Sequence, residues 1–178
     1  ILGAARIIHE QLPTAKFCMP CAGTVCEADL QAELLKYKLP INVTNMDTYD
    51  IMKITDVAII KSGTATLEAA LCGLPSVIVY KTSKLNEYIF KYLLRLKVPN
   101  FGLPNIIMGR RILPELLQED ANPERIAQEV LAMLEPDKLR TARDNLRLMR
   151  GKMGNGGAIR KVAQRVLAMC GENNFLRQ

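Results

Sequence analysis

The chain's 178 residues, 49% apolar and 24% charged, suffice for one folded domain with a sizeable core. No apolar run approaches the length that spans a bilayer, which sets a transmembrane reading aside. A net charge of +6 points to an anionic partner, yet 5% aromatic residues, no Trp and no RNP, zinc-finger or helix-turn-helix spacing weigh against nucleic acid.

Along the chain, apolar residues switch between helical and strand periods. Ile1-Leu2-Gly3 reads as mid-helix, as in a fragment, and that helix runs to about residue 11. His9 lies on it and reads as a surface or capping side chain rather than a catalyst. A strand is expected over about 15–19, a helix over 26–37, a strand over Ile41–Thr44 and a short helix near Thr48–Ile54. The odd set of five cysteines, at 18, 21, 26, 72 and 170, reads as reduced thiols. Cys18-Met-Pro-Cys21 has redox spacing, and Cys26 would make a third metal ligand. The pair sits at a strand end rather than a helix start, however, and His9, the sole histidine, leaves no usual fourth ligand nearby. Buried core thiols are the favoured reading.

A strand over 56–61 and a helix over 64–72 follow, stopped by Gly73 and Pro75. Ser76–Tyr80 is a near-continuous apolar strand, the pattern of a sheet covered on both faces. This alternation predicts a doubly wound α/β layer with a parallel sheet and right-handed crossovers. In such sheets ligands bind outside the carboxyl ends of the strands, so Ser62–Thr64 and Lys81–Ser83 mark the expected site.

The second half differs. A helix is expected over Ser83–Lys97, a loop over Pro99–Gly109, and helices over about 123–134, 137–150 and 157–171. Asn122-Pro123-Glu124 supplies an N-cap, a proline at N1 and a first-turn acid. The segment Ser83–Lys97 mixes Lys84, Lys91, Arg95 and Lys97 with Tyr88, Phe90 and Tyr92. It suits an anionic membrane surface, or, as the favoured reading, a core-facing helix with a solvated basic side. Gly151–Gly157 looks like a phosphate cradle but follows a helix, and it reads as a flexible joint.

The richest stretch is Ser62-Gly-Thr-Ala-Thr-Leu-Glu-Ala-Ala70: strand end, glycine turn, then a helix with one carboxylate near its start. A helix N-terminus offers unpaired N–H groups and a positive dipole end to an anion. Ser62, Gly63 and Thr64 would present those donors, and Glu68, one turn on, would accept from sugar hydroxyls. An ordinary strand–helix joint with Thr64 as N-cap fits the spacing equally well. In the loop Gly102–Arg111, Asn105 is a candidate for a base or sugar and Arg110 for a pyrophosphate. Packing under the sheet edge is the alternative.

Three blocks, Ser62–Leu71, Leu103-Pro-Asn-Ile-Ile-Met-Gly-Arg110 and Pro114-Glu-Leu-Leu-Gln118, closely resemble the C-terminal half of lipid-A-disaccharide synthases, in the same order and spacing. Gly156-Gly-Ala158 resembles the family's ending. The resemblance implies an inverting, metal-independent GT-B glycosyltransferase with no cofactor. It implies a Rossmann-like, doubly wound nucleotide-sugar domain over 1–120, lacking its first strand, and a C-terminal helical segment over 121–178. The family joins UDP-2,3-diacylglucosamine to 2,3-diacylglucosamine 1-phosphate on the cytoplasmic face of the inner membrane. Implied partners are therefore the acylated donor and acceptor, an anionic membrane surface, an N-terminal domain and a possible second copy, without nucleic acid.

Carried onto this chain, Ser62, Gly63 and Thr64 would line the diphosphate and Glu68 the ribose. Asn105, Gly109 and Arg110 would close over the donor, with Lys81, Glu115 and Gln118 in support. The catalytic base is expected in the N-terminal half, so none is assigned here. Lys81 departs from the family's arginine and loses the bidentate fork. The family's first strand and glycine-serine-arginine loop lie before Ile1. In the strand order 3-2-1-4-5-6, strands 2 and 4 would then lack their shared neighbour, which makes the fragment marginal alone. Other readings are a related UDP-sugar enzyme of the peptidoglycan transferase or epimerase type, and a non-catalytic UDP-binding module.

Overall fold

The computed structural model describes residues 1–21, 27–37, 39–82, 99–154 and 156–174. Cys26 and the helix expected over Ser83–Lys97 lie outside them. In chain order the elements are α1 (Leu2–Gln11), β1 (Phe17–Pro20), α2 (Glu27–Tyr37), β2 (Ile41–Thr44), α3 (Thr48–Ile54), β3 (Ala58–Lys61), α4 (Thr64–Leu71) and β4 (Ser76–Tyr80). They continue with α5 (Leu103–Met108), β5 (Glu115–Leu117), α6 (Pro123–Met133), α7 (Pro136–Met153) and α8 (Ala158–Asn174).

Every strand pairing among the described residues is parallel. β1 pairs with β2, and β3-β4-β5 form a second ladder. Among the described residues no ladder joins β1 to β3. That interruption falls where the resemblance implies a further central strand.

The apolar side chains of β4 alternate between two cores, because successive strand residues face opposite ways. Val77 and Val79 pack with Ala4 and Ile8 of α1 and Ile126, Ala127 and Val130 of α6. Ile78 points to the other face, against Ala70 of α4, Met133 at the end of α6, and Ala142, Leu146 and Met149 of α7. The sheet is therefore covered on both faces, the doubly wound α/β class the patterning predicts and the resemblance implies.

Several expectations need correction. The stretch Pro99–Gly109 holds a helix, not only a loop. Gly102 precedes it, Pro104 sits in its first turn, and Gly109 ends it in the left-handed conformation at φ 67°. These are ordinary helix start and stop signals in a segment too short to show periodicity. Of the described cysteines only Cys72, half-buried, packs against a core, that of Met52, Ala69 and Leu74; Cys18 and Cys170 are exposed and Cys21 is half-buried. Cys18 sits on the outward phase of β1, and Cys170 on a helix that takes no part in the cores. His9 is no surface cap. Its ring meets the Phe17 ring edge-on at 6.2 Å, and its buried Nδ1 has no hydrogen-bond partner.

The boundary expected at residue 120 falls in a turn, where Ala121 N–H donates to the Gln118 carbonyl at 3.2 Å. Beyond it, α6 and α7 join the two cores. α8 does not: Ile159 is 88% and Leu167 71% exposed. Gly151 belongs to α7, and the joint begins only at Gly154.

Candidate functional site

The site grows from the carboxyl ends of β3 and β4. Ser62 N–H donates to the Val79 carbonyl at 2.8 Å, extending the ladder one residue past β3. Its Oγ donates to the Phe101 carbonyl at 3.1 Å, tying the turn to the segment before α5. Gly63 is the N-cap of α4, at φ 157° and ψ −167°, a combination only glycine adopts readily. No side chain among the described residues caps this helix. Thr64, which the alternative reading makes the N-cap, is instead the first helical residue. Gly63, Thr64 and Ala65 are all exposed, while the Thr66 hydroxyl turns back to the Gly63 carbonyl at 2.6 Å. The helix start is thus open and presents the positive end of its dipole to solvent. Glu68 follows one turn down the helix and is half-buried.

Beside this turn, Lys81 follows β4 directly. Lys81 is exposed, and the ring of its neighbour Tyr80 lies 6.0 Å from the Phe101 ring. An anion here would meet an open helix N-terminus, with Lys81 level with Gly63 in the β3–β4 register.

The segment 101–118 is held by one buried carboxylate–amide network. Glu115, 6% exposed, accepts from Phe101 N–H (Oε2, 3.1 Å) and Gly102 N–H (Oε1, 2.9 Å). Asn105 is fully buried. Its Nδ2 donates to the Leu113 carbonyl at 2.8 Å and to Glu115 Oε1 at 2.7 Å. Its Oδ1 accepts from Ile112 and Leu113 N–H at 2.7 and 3.0 Å. Two donors and two lone pairs are all a primary amide has, so Asn105 holds no spare group for a ligand. Gly102 is pressed between Ile78 and Glu115, and a Cβ there would lie 3.0 Å from Glu115 Oε1 and collide with the Ile78 side chain.

Ser62, Gly63, Thr64, Lys81 and the Phe101–Gly102 segment therefore gather at one end of the sheet. Arg110 does not join them. α5 carries it about 9 Å along from Gly102, and its Nη2 donates to Asn145 Oδ1 of α7 at 2.6 Å. Gly109 is exposed beside it. Gln118 engages Thr82, donating from Nε2 to its carbonyl and accepting from its N–H. Sequence reasoning missed Phe101, whose carbonyl and ring both serve the turn, and Asn145, which no periodicity singles out.

A lipid-A-disaccharide synthetase family model matches residues 1–166. The chain belongs to that family. Similar relatives are the lipid-A-disaccharide synthases of Trichlorobacter lovleyi, 43% identical over 95% of this chain, and Geobacter sulfurreducens, 39% identical over 97%. The chain spans 44% of the length of each. The crystal structure of the glycotransferase of kitacinnamycin superposes with a TM-score of 0.53 at 15% identity, covering 85% of this chain and 35% of that one. That likeness concerns the fold alone. The span matched by the family model takes in all three blocks on which the resemblance rests, and the open start of α4 with them. No described helix is long and apolar enough to cross a membrane.

Proposed function

We propose that this chain is the donor-binding half of an inverting glycosyltransferase that joins UDP-2,3-diacylglucosamine to 2,3-diacylglucosamine 1-phosphate and releases UDP. The observation that carries the reading is the uncapped start of α4 after Gly63, open at the carboxyl end of β3 in a chain of this family. The diphosphate sits on the N–H groups of Gly63, Thr64 and Ala65, with the Ser62 turn beneath it and Lys81 alongside. Glu68 receives the ribose hydroxyls. As the glycosidic bond breaks, negative charge grows on the departing diphosphate, and the α4 dipole and Lys81 stabilise it without a metal ion. The base that deprotonates the acceptor hydroxyl belongs to the other half of the enzyme.

Asn105 and Glu115 position the 101–113 segment over the turn rather than touch the donor. Gly109 and Arg110 reach the donor only if Arg110 leaves Asn145, so they close the site in the whole enzyme. The net charge of +6 suits a peripheral position on an anionic cytoplasmic membrane face. The exposed apolar residues Ile159, Val162, Val166 and Met169 of α8 recur at helical spacing and offer the surface that meets an N-terminal domain or a second copy.

Calorimetric titration of UDP into the chain, beside a Glu68→Ala variant, tests this reading. Binding about tenfold weaker in the variant, as expected for one lost charged hydrogen bond, supports it. Equal affinity in both would remove Glu68 from the site, and no heat from a folded chain would remove UDP.

A further inference from the structure

Gln118 is the one non-glycine residue with positive φ among the described residues, at 53°. Left-handed backbone disfavours a side chain that offers no local compensation, so it points to a role beyond local folding. Its position in the sheet supplies the reason. Along the β4–β5 pairing, Ile78 N–H donates to the Pro114 carbonyl at 2.9 Å, and Gln118 N–H donates to the Tyr80 carbonyl at 2.9 Å. The parallel repeat makes the next rung Thr82 N–H to the Gln118 carbonyl. The left-handed turn swings the Gln118 carbonyl away to Ala121 N–H, at 3.2 Å. The side chain replaces it: Oε1 accepts from Thr82 N–H at 2.7 Å, and Nε2 lies 3.4 Å from the Thr82 carbonyl.

One residue therefore pins the backbone on both sides of Lys81, at Tyr80 through its main chain and at Thr82 through its amide. The chain leaves β5 into the turn before α6, and β4 still gains an extra rung at the end where the site lies. Only an amide of this length supplies both the acceptor and the donor, since glutamate loses the donor and asparagine is a methylene shorter.

We propose that Gln118 is a positioning residue that holds Lys81 against the bound diphosphate, and that its strained backbone is retained for this purpose. The inference deepens the donor-site reading and rests on it. If Gln118 were merely structural, UDP affinity in its variants would follow their stability, whichever way that moved. The latch separates the two quantities.

The test is a double-mutant cycle of Gln118→Gly and Lys81→Ala, with UDP affinity read by calorimetry and folding by urea midpoint. Gln118→Gly is expected to leave the midpoint near the wild-type value, because relief of the positive φ offsets the two lost Thr82 contacts. With Lys81 in place it should weaken UDP binding about tenfold, and on top of Lys81→Ala hardly at all, because the lost contact is already gone. An equal loss in both backgrounds, or no loss in either, overturns the proposal. Amide exchange gives a readout independent of ligand. Thr82 N–H should lose protection in Gln118→Gly while Ile78 N–H keeps it, and unchanged Thr82 protection also overturns the latch. A wild-type chain that takes up no UDP sinks the donor-site reading and the latch's part in binding. Thr82 exchange still decides in that case whether the clamp exists.

Discussion

Asn105 on α5 and Glu68 on α4 are both polar candidates for the donor, and burial gives them opposite duties. Asn105 has spent every donor and lone pair on Glu115 and on the backbone of residues 112–113. Glu68 stays half-buried, one turn from the open helix start. Asn105→Ala leaves two buried N–H groups and a carboxylate short of partners, so it should cost about 2–4 kcal/mol in a urea melt. A loss below about 1 kcal/mol would contradict the network. Ser62, Gly63 and Thr64 were legible in the sequence because strand end, glycine and helix start are adjacent in it. The saturation of Asn105 was not, since its partners lie seven to ten residues away and only the folded loop brings them together.

At the scale of elements, β4 was readable to the residue from an unbroken apolar run, as were β2 and α3 from their bounding residues. β5 was not. It is three residues long, and the buried Glu115 interrupts its apolar pattern because that carboxylate serves the α5 N-terminus. The helix α5 was hidden in the same way by the Pro, Gly and Asn that start and stop it. Gly102 is the joint between these two elements. Gly102→Ala drives a methyl into Ile78 and the Glu115 carboxylate, and it should destabilise the chain by about 1–3 kcal/mol. It should also shift the Phe101 carbonyl off Ser62, and a variant with a wild-type melt would refute the close packing drawn here.

For the whole molecule, two features stand apart from the cores: the interrupted sheet and the free helix α8. β1 and β3 present parallel edges with no ladder between them among the described residues, so the β1–β2 unit is joined to the rest mainly by α1 and by side-chain packing such as that of Phe17. A urea melt should therefore be shallow, with the β1–β2 amides opening before those of β4. The described residues of α8 contribute nothing to the hydrophobic cores. A chain ending after Gly157 should melt within about 0.5 kcal/mol of the full one. One steep transition that weakens on truncation would contradict both statements. The doubly wound class was legible from alternating periods. The detachment of α8 was not, because an amphipathic stripe looks the same whether or not its partner is present.

The most direct test of the donor site is a map of amide shifts as UDP is added to the isotope-labelled chain. The account predicts the largest changes at Gly63, Thr64 and Ala65, with smaller ones at Lys81 and Thr82 and none along α8. Changes centred on α6 or α8 with the Gly63–Ala65 amides still would place the nucleotide elsewhere and contradict the account.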